Sequence, residues 1–142
     1  MDQNKTITVQ TTVKAPMRKV WESWTEPEHI VKWAFASDDW EAPHAANDLR
    51  PGGKFKTLMA AKDKSASFDF GGVYDAVKEH ELIEYDMDDG RHVKTEFEQL
   101  PAGAGVRIIQ AFEPENMNPE EVQRSGWQAI LENFKKYAEG KK

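Results

Sequence analysis

Polar and apolar residues alternate with a period of two through most of this chain and switch to a helical period at three places. Lys5 to Lys14 (KTITVQTTVK) puts Ile7, Val9, Thr11 and Val13 on one face and is rich in β-branched residues, which predicts a strand. Ala15-Pro16 ends it. In Met17 to Thr25 the apolar residues Met17, Val20, Trp21 and Trp24 recur at i, i+3, i+4 and i+7, the spacing of a short amphipathic helix. Pro27, tolerated in a first helical turn, opens a second short helix through about Trp33. Phe35 to Pro51 is irregular, with room for a short strand at Trp40 to His44. Strand patterns resume at Lys54–Ala61, Ser67–His80, Leu82–Met87, Arg91–Leu100 and Val106–Glu113, separated by turn residues such as Asp63-Lys64-Ser65 and Asp88-Asp89-Gly90. Gly71-Gly72, inside the longest of these, predicts a bulge or a close backbone approach.

The last segment, Asn118 to Tyr137, is helical. Asn118 is the expected N-cap and Pro119 a first-turn residue. Glu120 and Glu121 begin the helix and Lys135 and Lys136 end it, each placed favourably on the helix dipole. Trp127, Ile130, Leu131, Phe134 and Ala138 form one apolar stripe. Short turns make the strands antiparallel neighbours, and so little helix cannot cover both faces of the sheet. Between Arg91 and Leu100, Lys94, Glu96 and Glu98 alternate with Val93, Thr95 and Phe97, so one face is solvated. The expected fold is α+β: a curved antiparallel sheet of six or seven strands around a long C-terminal helix, with two short helices after strand one. The helix stripe divides, with Ile130, Leu131 and Phe134 in the core and Trp127 reaching the space above the sheet. Gly126 is expected to allow close backbone approach there.

Composition narrows the function. At 142 residues the chain suits a single domain, 1–142, with enough surface to bury a core. It has no cysteine, which excludes disulfides and thiolate chemistry. Without an apolar leader or a membrane-length run, the expected location is cytoplasmic. A formal net charge of -6 argues against nucleic acid and anionic membrane as partners. Five tryptophans and seven phenylalanines suit a core and equally a pocket wall.

Several stretches resemble one family. They are Val13-Lys14-Ala15-Pro16 followed by Val20-Trp21 and Trp24-Thr25-Glu26-Pro27-Glu28, then Trp33, Asp48-Leu49-Arg50-Pro51-Gly52-Gly53-Lys54-Phe55, Gly72-Val73-Tyr74 and Gly126-Trp127. In this order they resemble the START-like (SRPBCC) superfamily and, within it, the activator of heat-shock-protein-90 ATPase homologue group. The resemblance implies a helix-grip fold, a curved sheet closed on its last helix with a cavity between them. Members of the wider superfamily hold lipids, hormones, polyketides and other apolar molecules there, and some are cyclases or hydroxylase components.

The expected ligand-binding residues are Trp33, Phe35, Trp40, His44, Phe55, Met59, Phe70, Tyr85, Phe97 and Trp127. A filled aromatic core is the plainer reading of the same residues. Tyr85, His44 and Thr57 are the expected polar groups of a pocket. No metal and no cofactor is expected: His29, His44, His80 and His92 lack metal-ligand spacing, and the serines lack a nucleophile elbow. Acid–base catalysis needs a carboxylate turned inward, and Asp69 and Glu96 are the candidates. The leading expectation is a binding protein for a small apolar or amphipathic molecule. The alternatives are a chaperone-associated regulatory module and a cofactor-free cyclase or lyase.

Overall fold

A computed structural model describes residues 6–140. The chain runs β1 (Ile7–Val13), α1 (Met17–Thr25), α2 (Pro27–Trp33), β2 (Trp40–Asn47), β3 (Lys54–Ala61), β4 (Ser67–Lys78), β5 (Leu82–Met87), β6 (His92–Gln99), a 3-10 turn (Pro101–Gly103), β7 (Val106–Phe112) and α3 (Glu120–Ala138). The expected α+β helix-grip fold is present, with seven strands. Lys5, expected in the first strand, lies outside the described residues. The sheet order is β1-β7-β6-β5-β4-β3-β2, antiparallel throughout. Five hairpins in sequence build it, and β1 closes it by pairing with β7 from Ile7↔Phe112 to Val13↔Val106.

Alternation sets the faces. Val93, Thr95 and Phe97 are buried while Lys94, Glu96 and Glu98 are exposed. Two bulges break the parity. The one in β2, between Glu41 and His44, lengthens a strand that the sequence pattern ended at His44. The other lies in β4 between Tyr74 and Ala76, not at Gly71-Gly72. The glycine pair is instead a point of close approach. A Cβ on Gly71 would stand 2.6 Å from the Phe55 carbonyl oxygen, and one on Gly72 would stand 2.3 Å from that of Asp86.

The core lies between the concave face and the helices. Phe134 is fully buried and packs edge-on to both Trp24 and Trp33, with ring centroids 4.8 Å apart in each pair. Trp21 and Trp24 meet Phe97 at 5.2 and 5.6 Å. These contacts tie α1, α2, β6 and α3 together. Burying a side chain of this size stabilises the fold by about 1.5–3 kcal/mol.

The start of α3 differs from the expected cap. Pro119 itself is the N-cap, extended at φ -58°, and its carbonyl accepts from Val122 N and Gln123 N. Asn118 lies one residue earlier. It donates through Nδ2 to the Glu115 carboxylate at 2.6 Å, which also accepts from the amides of Met117 and Asn118. Those bonds, chiefly the one from the Asn118 side chain, hold the Glu115 carboxyl below its usual range. Gln123 completes the anchor: its Nε2 donates to the carbonyls of Glu115 and Asn118, and its Oε1 accepts from Glu115 N.

Along β1 the helix also reaches the outer strand's backbone. Arg124, Gln128 and Lys135 donate to the carbonyls of Thr8, Gln10 and Thr12, at 3.0, 3.1 and 2.8 Å. Glu139 accepts from Lys14 N at 2.7 Å. The opposite edge, β2, carries Pro43 and its bulge, both of which discourage further strand pairing.

Candidate functional site

Between the sheet and the first half of α3 the packing leaves a cavity of about 280 Å³. That is near the small end of the range for small-molecule pockets, which starts at about 300 Å³. Four strands and all three helices contribute to its wall. Phe55, Thr57 and Met59 come from β3, Ile83 and Tyr85 from β5, and Gln110 from β7. Phe68, Phe70 and Tyr74 enter from β4, Trp24, Ile30 and Trp33 from the short helices, and Trp127, Ile130 and Leu131 from α3. Trp127 is fixed by a parallel stack on Phe112, with centroids 4.1 Å apart and planes 9° apart, and turns its edge toward Phe70. Phe68, 51% exposed, stands at the outer end of this wall beside Trp40.

Six of the ten residues expected at the site line the cavity: Trp33, Phe55, Met59, Phe70, Tyr85 and Trp127. Four do not. His44 is exposed, because the bulge after Glu41 turns it to the outer face while Ala42 and Ala45 keep the inner one. Trp40 packs on Phe68 outside the cavity wall. Phe97 does face inward, but Trp21 and Trp24 cover it and it belongs to the packed core. Phe35 lines a separate open cleft. Gly126 makes no close approach, since a Cβ there would meet nothing within 4 Å. Ile130, expected as core, is on the cavity wall.

The polar groups of the wall are few and neutral, apart from Arg91. The Tyr74 hydroxyl donates to Asn47 Oδ1 at 2.6 Å, and Asn47 Nδ2 donates to the Thr25 carbonyl. Gln110 donates through Nε2 to Thr95 Oγ1 at 3.1 Å. The hydroxyls of Tyr85 and Thr57 and the Gln110 side-chain carbonyl make no hydrogen bond with any described residue. The three residues are 7%, 5% and 7% exposed, yet none of these atoms is sealed away from solvent-sized space. Their open surface is therefore the cavity. Burial pushes the pKa of both tyrosines well above the usual phenol value, so each keeps its proton and remains a hydrogen-bond donor. Arg91 is already engaged, by Asp89 at 2.9 Å and by the Glu113 carbonyl. Gln110 and Thr95 were legible as anomalies, because each is a polar residue on the apolar parity of its strand.

No carboxylate and no imidazole lines the cavity among the described residues. Asp69 and Glu96, the candidates for an inward acid or base, are both exposed. His92 is not a solitary surface histidine. On the outer face its Nδ1 lies 2.8 Å from Asp86 and 3.5 Å from Asp75, and its Nε2 lies 2.8 Å from Glu84. The Asp86 hydrogen bond, more than any other contact, raises the imidazole's affinity for its proton. No helix among the described residues is long and apolar enough to cross a membrane.

Known structures repeat this architecture. A solution structure of an AHSA1-like protein from Aeromonas hydrophila superposes with a TM-score of 0.89 at 37% identity, covering 95% of this chain and 92% of that one. A solution structure of a protein from Cytophaga hutchinsonii is 56% identical, with a TM-score of 0.80 over 94% of this chain and 91% of that one. A crystal structure from Chromobacterium violaceum shares the fold, with a TM-score of 0.84 at 22% identity over 95% and 98% of the two chains. No curated protein matches the chain. The family model described as "Activator of Hsp90 ATPase homolog 1-like protein" matches residues 14–139, from the end of β1 through α3. With the sheet gripping α3 and the motifs in their expected places, the chain belongs to this family of START-like proteins.

Proposed function

We propose that the protein binds a small amphipathic molecule in the cavity between the sheet and α3. One observation carries this reading: buried hydrogen-bonding atoms of Tyr85, Thr57 and Gln110 stand open in a wall that is mostly aromatic and aliphatic, and its one charged residue, Arg91, is already engaged. A buried polar group left without a partner costs roughly 1–3 kcal/mol, and a ligand or water in the cavity relieves that cost. The wall suits a compact, largely apolar body with a few hydrogen-bonding groups and no obligatory charge. Family membership supports a fold able to hold such a ligand.

The test is equilibrium titration with a neutral fluorescent apolar probe, N-phenyl-1-naphthylamine. Saturable binding of one molecule per chain is expected. Trp127→Ala should weaken it by about tenfold or more, through loss of the aromatic wall. Trp21→Ala, in the packed core, should lower stability and leave the affinity of the folded protein nearly unchanged. Equal effects of the two substitutions, or no stoichiometric binding, would count against the proposal.

A further inference from the structure

A second concavity, sharing no lining residue with the cavity, opens among the three helices and the β3–β4 turn and has a volume of about 710 Å³. Four lysines from four separate segments line it: Lys19 on α1, Lys32 on α2, Lys62 after β3 and Lys136 on α3. Among the described residues, no ion pair or side-chain hydrogen bond engages any of the four. Two carboxylates share the lining. Glu22 is already held by Arg18 at 3.1 Å, and Asp38 lies on the segment after α2.

The floor of this cleft is polar and fixed. Ser23 is 3% exposed, and its carbonyl accepts from Trp33 Nε1 at 2.8 Å. Its hydroxyl makes no hydrogen bond with a described residue, yet the oxygen is not sealed off, so it opens into the cleft. Asn133 beside it is held by the carbonyls of Trp33 and Phe35, and His29 is held by the Tyr137 hydroxyl. Four unpaired cations around one concavity repel one another. In a chain of net charge -6 such a cluster is a local reversal of sign. A buried hydroxyl with no partner adds a second unmet demand at the same place.

We propose that this cleft binds a small molecule carrying two or more adjacent phosphoryl groups. The lysines act as point charges, which suits phosphate oxygens without requiring a planar bidentate partner. Because they come from four separate segments, a diphosphate, with more charge and more oxygens than a single phosphate, can engage more of them at once. Ser23 donates to one of the phosphoryl oxygens. Phe35 and the ring of Tyr137 supply apolar surface in the lining, against which an attached organic group can rest.

The experiment is calorimetric titration of the full chain with pyrophosphate, ADP and AMP at about 0.1 M salt, with amide NMR shifts locating the site. Pyrophosphate and ADP should each saturate at one site, shifting Ser23, Lys32 and Asn133, and AMP should bind about tenfold more weakly. Equal binding of pyrophosphate and ADP identifies the phosphates alone as the recognised group, while tighter ADP adds a contact to the nucleoside. The double variant Lys32→Gln/Lys136→Gln should lose about tenfold or more in affinity, and Ser23→Ala a few-fold. Lys94→Gln, on the outer face of the sheet, should change nothing. The proposal is overturned by the absence of saturable binding, by AMP matching pyrophosphate, or by Lys94→Gln weakening binding as much as the double variant.

Discussion

The two halves of α3 lie over the same sheet and meet opposite conditions. From Phe134 to Ala138 the apolar side is sealed: Phe134 and Ala138 are 0% exposed. From Val122 to Leu131 the helix is looser, with Val122 58% exposed and Trp127, Ile130 and Leu131 on the cavity wall. The stripe itself does not distinguish the halves. The facing wall does. At the second half α1 and α2 deliver Trp21, Trp24 and Trp33, large rings that interlock with Phe134 and Phe97. At the first half Trp24 and Trp33 only border the cavity, and Trp127 stacks on Phe112 along its wall. One amphipathic helix therefore anchors the fold at one end and roofs a cavity at the other.

Breaking the packed half should have the largest effect. Phe134→Ala should destabilise the protein by about 3–5 kcal/mol, read as a drop in the thermal midpoint by circular dichroism. A loss under about 1 kcal/mol, far below the usual cavity cost, would mean that this half is not the anchor. The glycines sharpen the contrast next. Gly72→Ala forces a methyl against the Asp86 carbonyl and should cost about 1–3 kcal/mol. Gly126→Ala, on the open half of the helix with nothing near its added methyl, should stabilise by about 0.5–1 kcal/mol. Chemical denaturation measures both, and a destabilising Gly126→Ala would restore the idea of close approach there.

Within the cavity half, Tyr85→Phe removes an oxygen that no described residue uses. Stability should change by less than about 1 kcal/mol. The affinity of a hydroxyl-bearing probe such as 2-naphthol should fall by about two- to tenfold, while that of naphthalene should hold. A parallel loss for both probes would show that the hydroxyl is not a recognition group.

The smallest effect belongs to the outer face, which neither half of α3 touches. The proton affinity of His92 is raised, so its stabilising contribution is complete below the ordinary value of 6.5 and is lost as pH rises through the folded value. Its partly exposed position beside Asp86, Glu84 and Asp75 keeps that contribution small. An NMR titration should place the midpoint above 6.5, and Asp86→Asn should move it down. A midpoint at or below 6.5 contradicts the assignment.

Alternation and turn chemistry made nearly every strand legible, because a half-buried antiparallel strand must repeat its polarity every second residue. The errors fall where something other than local pattern decides. His44 shares the parity of Trp40 and Ala42 in the sequence, and one bulge reverses it. Phe97 is inward by pattern, but whether an inward residue meets cavity or core depends on the distant Trp21 and Trp24. Asn118 is a good capping residue by type, yet its side chain serves Glu115, and Gln123 does the anchoring from inside the helix. The open polar atoms of Tyr85 and Thr57 were readable as residue types, but their lack of partners exists only in three dimensions.

The hydrogen bonds from α3 to the carbonyls of β1 join segments that are far apart in the chain. Arg124, Gln128 and Lys135 reach back over 116, 118 and 123 residues to satisfy the opening strand. The hairpins from β2 to β7 are local and can form as the chain lengthens. β1 has no neighbour in the sheet until β7, the last of the seven strands, has been made. Closing so long a loop carries an entropic cost that pairing with β7 and the contacts of the final helix offset together. β1 therefore waits, exposed and β-prone, while the five hairpins form, and chains stalled before Val106 are the ones most open to capture by chaperones or by each other.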